Sequence, residues 1–273
     1  MTLAFVDRAP TPQEIERIRL LLSTYQDGTG MLAADNGRTR PGWRDFERSV
    51  ALALGGTATE SKAVFDVLLS RPQVAIPQYG LSCKMRSELN RVGRDGRVTI
   101  EVSNSAGEFW RHLATKGMHQ QNYRENANDV GNALLDLVRI WHDAESITNS
   151  GRIDLLHSYY LVLLWNAQGV YQLFQYSLDI VTSARIATWD FPKRVNRGEV
   201  TEGKRLKGND ATGTLVEWYG ESGGQLKYYP LATDAIWASD PFVLEPLPID
   251  TAHSIIAKVA AYYPDKWKEA NQS

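Results

Sequence analysis

The hydrophobic positions of this chain fall first into two helical stripes and then into a run of strands. Ile15, Ile18, Leu22 and Tyr25 recur at three- and four-residue intervals, the spacing of one helix face. In front of them stand a capping hydroxyl, Thr11, a proline suited to the first turn, Pro12, and an acid that closes a capping box, Glu14. A second stripe, Trp43, Phe46, Val50 and Leu54, predicts a helix over 42–54 that buries all four and stops at Gly55-Gly56. The period then shortens to two. Residues 63–69 are an apolar run broken by Asp66, with Phe65 and Val67 pointing to the opposite face. Residues 79–85 alternate, Leu81, Cys83 and Met85 on one face and Ser82 and Lys84 on the other. A turn at 93–96 leads to a third strand over 98–102.

Helices over 106–113 and 130–141 follow, the second carrying Val130, Leu134, Leu137, Val138 and Trp141. Beyond them, 159–165 and 170–176 read as two strands joined at 166–169, and 214–219 with 225–229 as a hairpin about Ser222-Gly223-Gly224. A last helix over 251–262 ends before Pro264. This order predicts a mixed α/β (α+β) fold: a central mixed sheet flanked by helices, with extra hairpins in the C-terminal half and no regular βαβ winding. One domain over 1–273 is expected, its core at about 42–180 and an elaboration at 181–248.

Composition narrows the class only a little. With 43% hydrophobic and 23% charged residues the chain can bury a full core. No apolar run approaches the ~20 residues that cross a bilayer, and residues 1–10 lack a basic-then-apolar leader pattern, so a cytoplasmic protein with no membrane partner is expected. The single cysteine, Cys83, excludes an intramolecular disulfide framework and a multi-cysteine zinc site. A net charge of −2 gives no global attraction to nucleic acid, so a polyanion would have to be met by local clusters.

The polar interruptions of the strands carry the candidate chemistry. Asp66 stands within one apolar strand, Ser82 and Lys84 share one face of the next, and Glu101 sits between Ile100 and Val102 in the third. If those strands are neighbours, two carboxylates and an ammonium converge on one sheet edge. Cleaving a phosphodiester at neutral pH needs such a set: hard oxygen ligands for Mg²⁺, and a lysine to orient a water or offset developing charge. The plainer accounts are a strand-end Asp66 paired with Lys62 or Lys84, a solvated edge lysine, an outward-facing Glu101 and a surface Glu47. Other centres find less support. No two histidines have the spacing of a helical zinc motif, and no phosphate-binding glycine loop or Gly-x-Ser-x-Gly elbow is present.

In sequence order, Glu47 on a helix, Phe65-Asp66-Val67, Gly80-Leu81-Ser82-Cys83-Lys84 and Glu101 before a helix resemble the core of the PD-(D/E)XK nuclease superfamily, over about 42–113. Ser82 replaces the family's acid two residues before the lysine. In that respect the chain resembles the Ser-x-Lys group of restriction enzymes that cut sites containing CCGG and recruit the acid from further along the chain. Phe65 replaces the family's proline before the aspartate. The resemblance implies a type II restriction endonuclease of a restriction–modification system, hydrolysing duplex DNA with Mg²⁺. Its catalytic residues would be Asp66, Lys84, Glu101, Ser82 and Glu47. Asp66 and Glu101 would hold the metal, with Glu108 as the alternative second acid.

For DNA contacts, the most basic stretch is Lys193, Arg194 and Arg197 continued by Lys204, Arg205 and Lys207, where arginine can straddle phosphates or read guanine. Asn196 and Asn209 lie among them. Arg86, Arg91, Arg94 and Arg97 flank the central strands, and Ser103, Asn104 and Ser105 precede a helix whose free amides suit a phosphate. A palindromic double-strand cut needs two centres about a two-fold axis, so a homodimer is expected, at least on DNA. Two alternatives remain open: a structure-selective repair nuclease, and a non-catalytic module for a carbohydrate or protein partner.

Overall fold

Thr11 starts the first helix, α1 (Pro12–Thr24): its hydroxyl accepts from the Glu14 amide at 3.2 Å, and the Glu14 carboxylate accepts from the Thr11 amide at 2.7 Å. The structure is a computed structural model, and it describes residues 2–34, 38–59, 64–182, 186–196, 199–248 and 255–271. A short hairpin, β1 (Leu32–Ala33) and β2 (Thr39–Arg40), leads to α2 (Trp43–Leu54). Gly55 ends α2 in the left-handed region at φ 69°, a conformation that favours glycine. Phe46 and Val50 of the α2 stripe are buried as expected, whereas Trp43 is 48% exposed. It occupies the first helical position, at the mouth of a cleft and not over the core.

The first strands are β3 (Thr57–Ala58), β4 (Val67–Ser70) and β5 (Gln78–Arg86). Where the sequence predicts a turn at 93–96, a short helix forms instead, α3 (Leu89–Asp95), closed by Gly96 at φ 71°. Buried Leu89 and a 3.0 Å ion pair between Arg91 and Asp95, one turn apart, favour helix over turn there. Next come β6 (Ile100–Ser103), α4 (Ala106–Thr115) and α5 (Ala127–Glu145). The predicted hairpin is β7 (Tyr159–Trp165) with β8 (Val170–Ser177). After α6 (Asp179–Thr182) the chain forms β9 (Thr188–Asp190), β10 (Lys193–Asn196), β11 (Glu199–Glu202), β12 (Leu206–Asp210), β13 (Gly213–Trp218) and β14 (Leu226–Tyr228). Short β15 (Trp237–Ala238) and β16 (Phe242–Val243) precede α7 (Ile255–Tyr262) and α8 (Pro264–Ala270). Pro264 opens α8 at a first-turn position, where its missing N–H costs nothing.

The protein is a mixed α/β protein with two main sheets. The first has the order β15-β8-β7-β5-β4-β3, with β16 also on β8; β5 and β7 run parallel and the other pairs antiparallel. Period-two alternation splits its side chains between two cores. Leu81, Cys83, Leu161, Leu163 and Leu173 pack with Ile18, Leu22, Phe46 and Val50 of α1 and α2. Tyr160, Val162, Leu164, Phe174 and Tyr176 pack with Val130, Leu134 and Val138 of α5. The second sheet, β6-β14-β13-β12-β9, is antiparallel and gives Ile100, Val216, Trp218 and Leu226 to that same α5-side core.

This topology corrects the expected neighbourhood of the three polar strands. Both edges of β5 are taken, by β4 and β7, so β6 pairs with β14 in the other sheet. Glu101 therefore belongs to the sheet built largely from the C-terminal half of the chain. Among the described residues no helix is long and apolar enough to cross a membrane.

Candidate active site

Asp66 sits at the entrance of β4, one residue before the ladder, and not in mid-strand. Its amide donates to the Leu81 carbonyl at 3.1 Å, and its own carbonyl accepts from the Thr59 amide at 2.9 Å. These bonds fix the backbone. Oδ2 then accepts from the Cys83 amide at 2.8 Å and from Lys84 Nζ at 3.4 Å. The chain turns at this residue, so Phe65 and Val67 enter opposite cores where simple alternation puts them on one face. Gly80 makes the turn possible. A Cβ built there would lie 2.2 Å from the Phe65 ring, so only glycine leaves the ring its place across β5.

Glu47 approaches from α2, which packs on β4 and β5. Its carboxyl is pushed up to about 7, first by burial and then by the nearby Asp66 charge, against the opposing pull of Lys84, Arg44 and Arg48. The same two acids, after burial, raise the Cys83 thiol well above its usual range, so Cys83 is a core residue and not a nucleophile. Ser82 is buried beside Tyr160, its partner across the parallel ladder, and lines the same cleft as Asp66 and Lys84.

Two residues of this cleft were not singled out from the sequence. His142 and Tyr160 are both buried, with His142 Nε2 and the Tyr160 hydroxyl 3.3 Å apart. The imidazole stacks on Phe65 at 6.4 Å between centroids. Burial above all, with Asp143 opposing and the Lys84 charge assisting, lowers its pKa to about 4, so it is neutral at physiological pH. A signal existed: Leu134, Val138 and His142 continue one four-residue stripe of α5.

Glu101 lines the same cleft, but its carboxylate is engaged. Arg86 Nη1 lies 2.7 Å from it, and the same guanidinium reaches Glu88 at 3.2 Å. Across the second sheet Glu101 faces Lys227, which faces Glu217, which faces Lys207, which faces Asp190. Five strands thus carry a row of alternating charge, a cross-strand pattern that holds register. Glu217 is buried in it, accepting from the Tyr219 and Tyr229 hydroxyls at 2.7 and 2.9 Å, which keeps its carboxyl low against burial. Glu108 lines the cleft too and is exposed on the first turn of α4.

The expected DNA contacts are dispersed. Ser103 and Asn104 lie on the cleft wall, Ser103 Oγ accepting from the Ser105 amide at 3.1 Å. Arg86 is held by its two acids. Arg97 is buried, donating to the Tyr229 carbonyl and the Thr212 hydroxyl at 2.6 Å each, and so frames the second sheet. Arg94 is open to solvent beside Asp95. Arg205 and Lys207 approach Glu217 at 3.5 and 4.0 Å, with Arg205 4.4 Å over the Tyr219 ring, while Lys204 pairs with Glu221 at 3.3 Å. Lys193 and Arg194 lie on β10, in register with Glu202 and Thr201 of β11. Arg197 lies outside the described residues.

One cleft of about 1110 Å³ therefore gathers Glu47, Asp66, Ser82, Lys84 and Glu101, between α2, α4 and α5 with β5 as its floor. Among the described residues, no group of three or more His, Cys, Asp or Glu side chains is arranged to hold a metal ion. Glu47 and Asp66 remain as a two-carboxylate set with Lys84 beside them. Magnesium is commonly held by one or two carboxylates, with water and substrate phosphate completing its shell, so this donor set fits it. A divalent cation there would offset both the burial and the Asp66 charge that raise Glu47. No family model, curated protein or solved structure matches the chain.

Proposed function

We propose that this protein is a divalent-metal-dependent endonuclease of the PD-(D/E)XK type that hydrolyses phosphodiester bonds of DNA. The observation that carries the reading is the meeting of Glu47, Asp66 and Lys84 in one open cleft, with one carboxyl raised to about 7 by burial and by the other. A solvated surface pair has no cause to hold two acids in partial burial. Asp66 and Glu47 would hold Mg²⁺, and Glu101, neutralised by Arg86, would stand outside the ligand set. Bound there, the cation supplies charge neutralisation at the phosphate and a water of lowered pKa.

The chain's own residues do the rest. The Cys83 amide and the backbone bonds of Asp66 fix that carboxylate before substrate arrives, so no reorganisation is needed during reaction. Lys84 extends from the floor beside it, donating to the attacking water or to a phosphate oxygen and offsetting charge that develops there. Glu47, near half ionised at neutral pH, gives up its proton as positive charge enters the cleft. The finer reading is a type II restriction enzyme acting as a homodimer on duplex DNA, with the two centres related by a two-fold axis.

Incubation with plasmid or phage DNA in Mg²⁺ and in chelator, followed by sequencing of the ends, tests both levels. Metal-dependent discrete fragments with one common end sequence support the restriction reading. Metal-dependent cutting without a common sequence keeps the nuclease and removes the site specificity. Intact DNA at every metal tested overturns the proposal.

A further inference from the structure

A buried polar pair stands beside the proposed centre. Tyr160 and His142 are 1% and 6% exposed, the hydroxyl and the imidazole Nε2 lie 3.3 Å apart, and the imidazole stacks on the Phe65 ring with the planes 23° apart. A phenylalanine and a leucine would fill the same space without burying two polar groups, so packing alone does not call for this pair. The register of the first sheet puts it next to Lys84. Ser82 and Lys84 share one face of β5, and their ladder partners on β7 are Tyr160 and Val162. Tyr160 is thus the diagonal neighbour of Lys84 on the β7 side, as Asp66 is its neighbour on the β4 side at 3.4 Å. Electrostatics report the same proximity. Burial first and then the Asp66 charge raise the Tyr160 hydroxyl above its usual range, and after burial, against Asp143, the Lys84 charge helps to lower His142. Both members of the pair stay neutral.

We infer that Tyr160, its hydroxyl oriented by His142, is the positioning residue of Lys84 and gives the ammonium a second acceptor beside Asp66. The inference rests on the nuclease reading and deepens it by saying what aims the lysine. An ammonium on a flexible four-carbon stem, held by one carboxylate, can still swing. It has three N–H donors. Asp66 and Tyr160 take two of them, and the third is then directed into the cleft, at the water or the phosphate oxygen. In this arrangement Tyr160 donates its proton to His142 Nε2, which leaves the lone pairs of the hydroxyl oxygen for Lys84. The second acceptor matters most when a divalent cation draws on the Asp66 charge. The ion pair then weakens, and a neutral oxygen fixed from behind keeps its hold.

The test reads the position of the ammonium and the rate of cutting separately. A crystal structure of the Asp66→Asn protein, in which the acid no longer holds the lysine by charge, shows Lys84 Nζ within about 3.2 Å of the Tyr160 hydroxyl. Steady-state cleavage in Mg²⁺ shows Tyr160→Phe with kcat lowered roughly tenfold or more and KM unchanged, because the reacting groups are misaimed and not unbound. His142→Gln, which keeps an acceptor for the hydroxyl, retains most of the rate, whereas His142→Leu loses as much as Tyr160→Phe. The double variant Tyr160→Phe/His142→Leu buries no unpaired polar group, so it melts no lower than the wild type and still cuts slowly. That combination separates positioning from packing. Lys84 turned away from Tyr160 in the crystal, or wild-type kcat in Tyr160→Phe, overturns the inference and leaves a protein that cuts with its nuclease reading intact. Lys84 seated on Tyr160 in a protein that cuts no DNA keeps the positioning contact and removes the nuclease reading alone.

Discussion

Two acidic clusters line the same cleft, and they are built in opposite ways. On β6, Glu101 is met by Arg86, and Arg86 by Glu88; in register across the sheet Glu101 faces Lys227, and each charge in that row faces its opposite. On the other side, Asp66 pairs with Lys84 while Glu47 is partly buried, and burial first, then the Asp66 charge, raise its carboxyl to about 7 against the pull of Lys84, Arg44 and Arg48. A balanced cluster stabilises register and orientation. A carboxyl buried beside another, held in place by helix packing and by backbone amides, costs folding free energy unless a ligand completes the site. Burial of one carboxyl beside another, more than the count of acids, separates the candidate centre from its surroundings.

The sharpest way to break that comparison is to neutralise one acid from each cluster. Asp66→Asn is expected to lower the Mg²⁺-dependent cleavage rate by roughly a thousandfold or more while leaving DNA binding measurable in chelator. Glu101→Gln, which removes only a carboxylate already held by Arg86, is expected to cost less than about tenfold in rate. Single-turnover cleavage of one plasmid by both variants decides the matter. Equal losses would place Glu101 back among the ligands, and full activity of Asp66→Asn would remove the centre altogether.

The next effect concerns the backbone that presents Asp66. Gly80→Ala places a methyl group where the Phe65 ring lies, with backbone on one side and buried His142 on the other. The expected cost is about 1–3 kcal/mol in urea unfolding, with cleavage reduced beyond what stability explains, because Phe65 adjoins Asp66. A control on the balanced side is Gly107→Ala. Its added Cβ meets only the Arg111 guanidinium at 3.9 Å, and inside α4 alanine should leave stability unchanged or raise it by up to about 1 kcal/mol. A silent Gly80→Ala would mean that Phe65 does not set the turn at Asp66.

These contrasts also explain what was legible in the sequence. The capping box at Thr11, the α2 stripe and the hairpins β7–β8 and β13–β14 were readable because each is specified by nearby residues. Asp66 and Lys84 were readable as polar residues in apolar strands. The placement of Glu101 was not, because strand neighbours are chosen by long-range pairing: β6 joins β14 some 120 residues away, since β4 and β7 already occupy β5. Trp43 fits the spacing of a buried stripe and yet faces the cleft, since a residue in the first turn of a helix need not lie over the core. His142 and Tyr160 read as ordinary apolar positions. Only the three-dimensional packing sets them 3.3 Å apart behind Lys84.

The smallest expected effect sharpens the comparison most, because its sign depends on which cluster is touched. The Glu47 carboxyl lies at about 7 in the folded protein against an ordinary 4.5, so the fold favours its protonated form. Its contribution to stability is complete below about pH 4.5 and is lost as the pH rises through about 7. Glu47→Gln removes the group that must ionise. In chelator the Glu47→Gln protein should melt roughly 2 °C above the wild type at pH 8 and with it at pH 4.5, a small difference because Glu47 is only partly buried and solvent at the cleft mouth softens both the burial cost and the Asp66 repulsion. Mg²⁺ should reverse the order at pH 8, raising the wild type and leaving Glu47→Gln nearly unmoved. Glu101→Gln should act with the opposite sign in chelator at pH 8, since it strips Arg86 of a 2.7 Å partner, and Mg²⁺ should raise its melting temperature as it raises the wild type's. Melting curves at two pH values, with and without Mg²⁺, for three proteins therefore read the charge balance of each cluster directly. A Glu47→Gln protein that gains nothing at pH 8 and still responds to Mg²⁺ would show that Glu47 is a surface acid with no part in the centre.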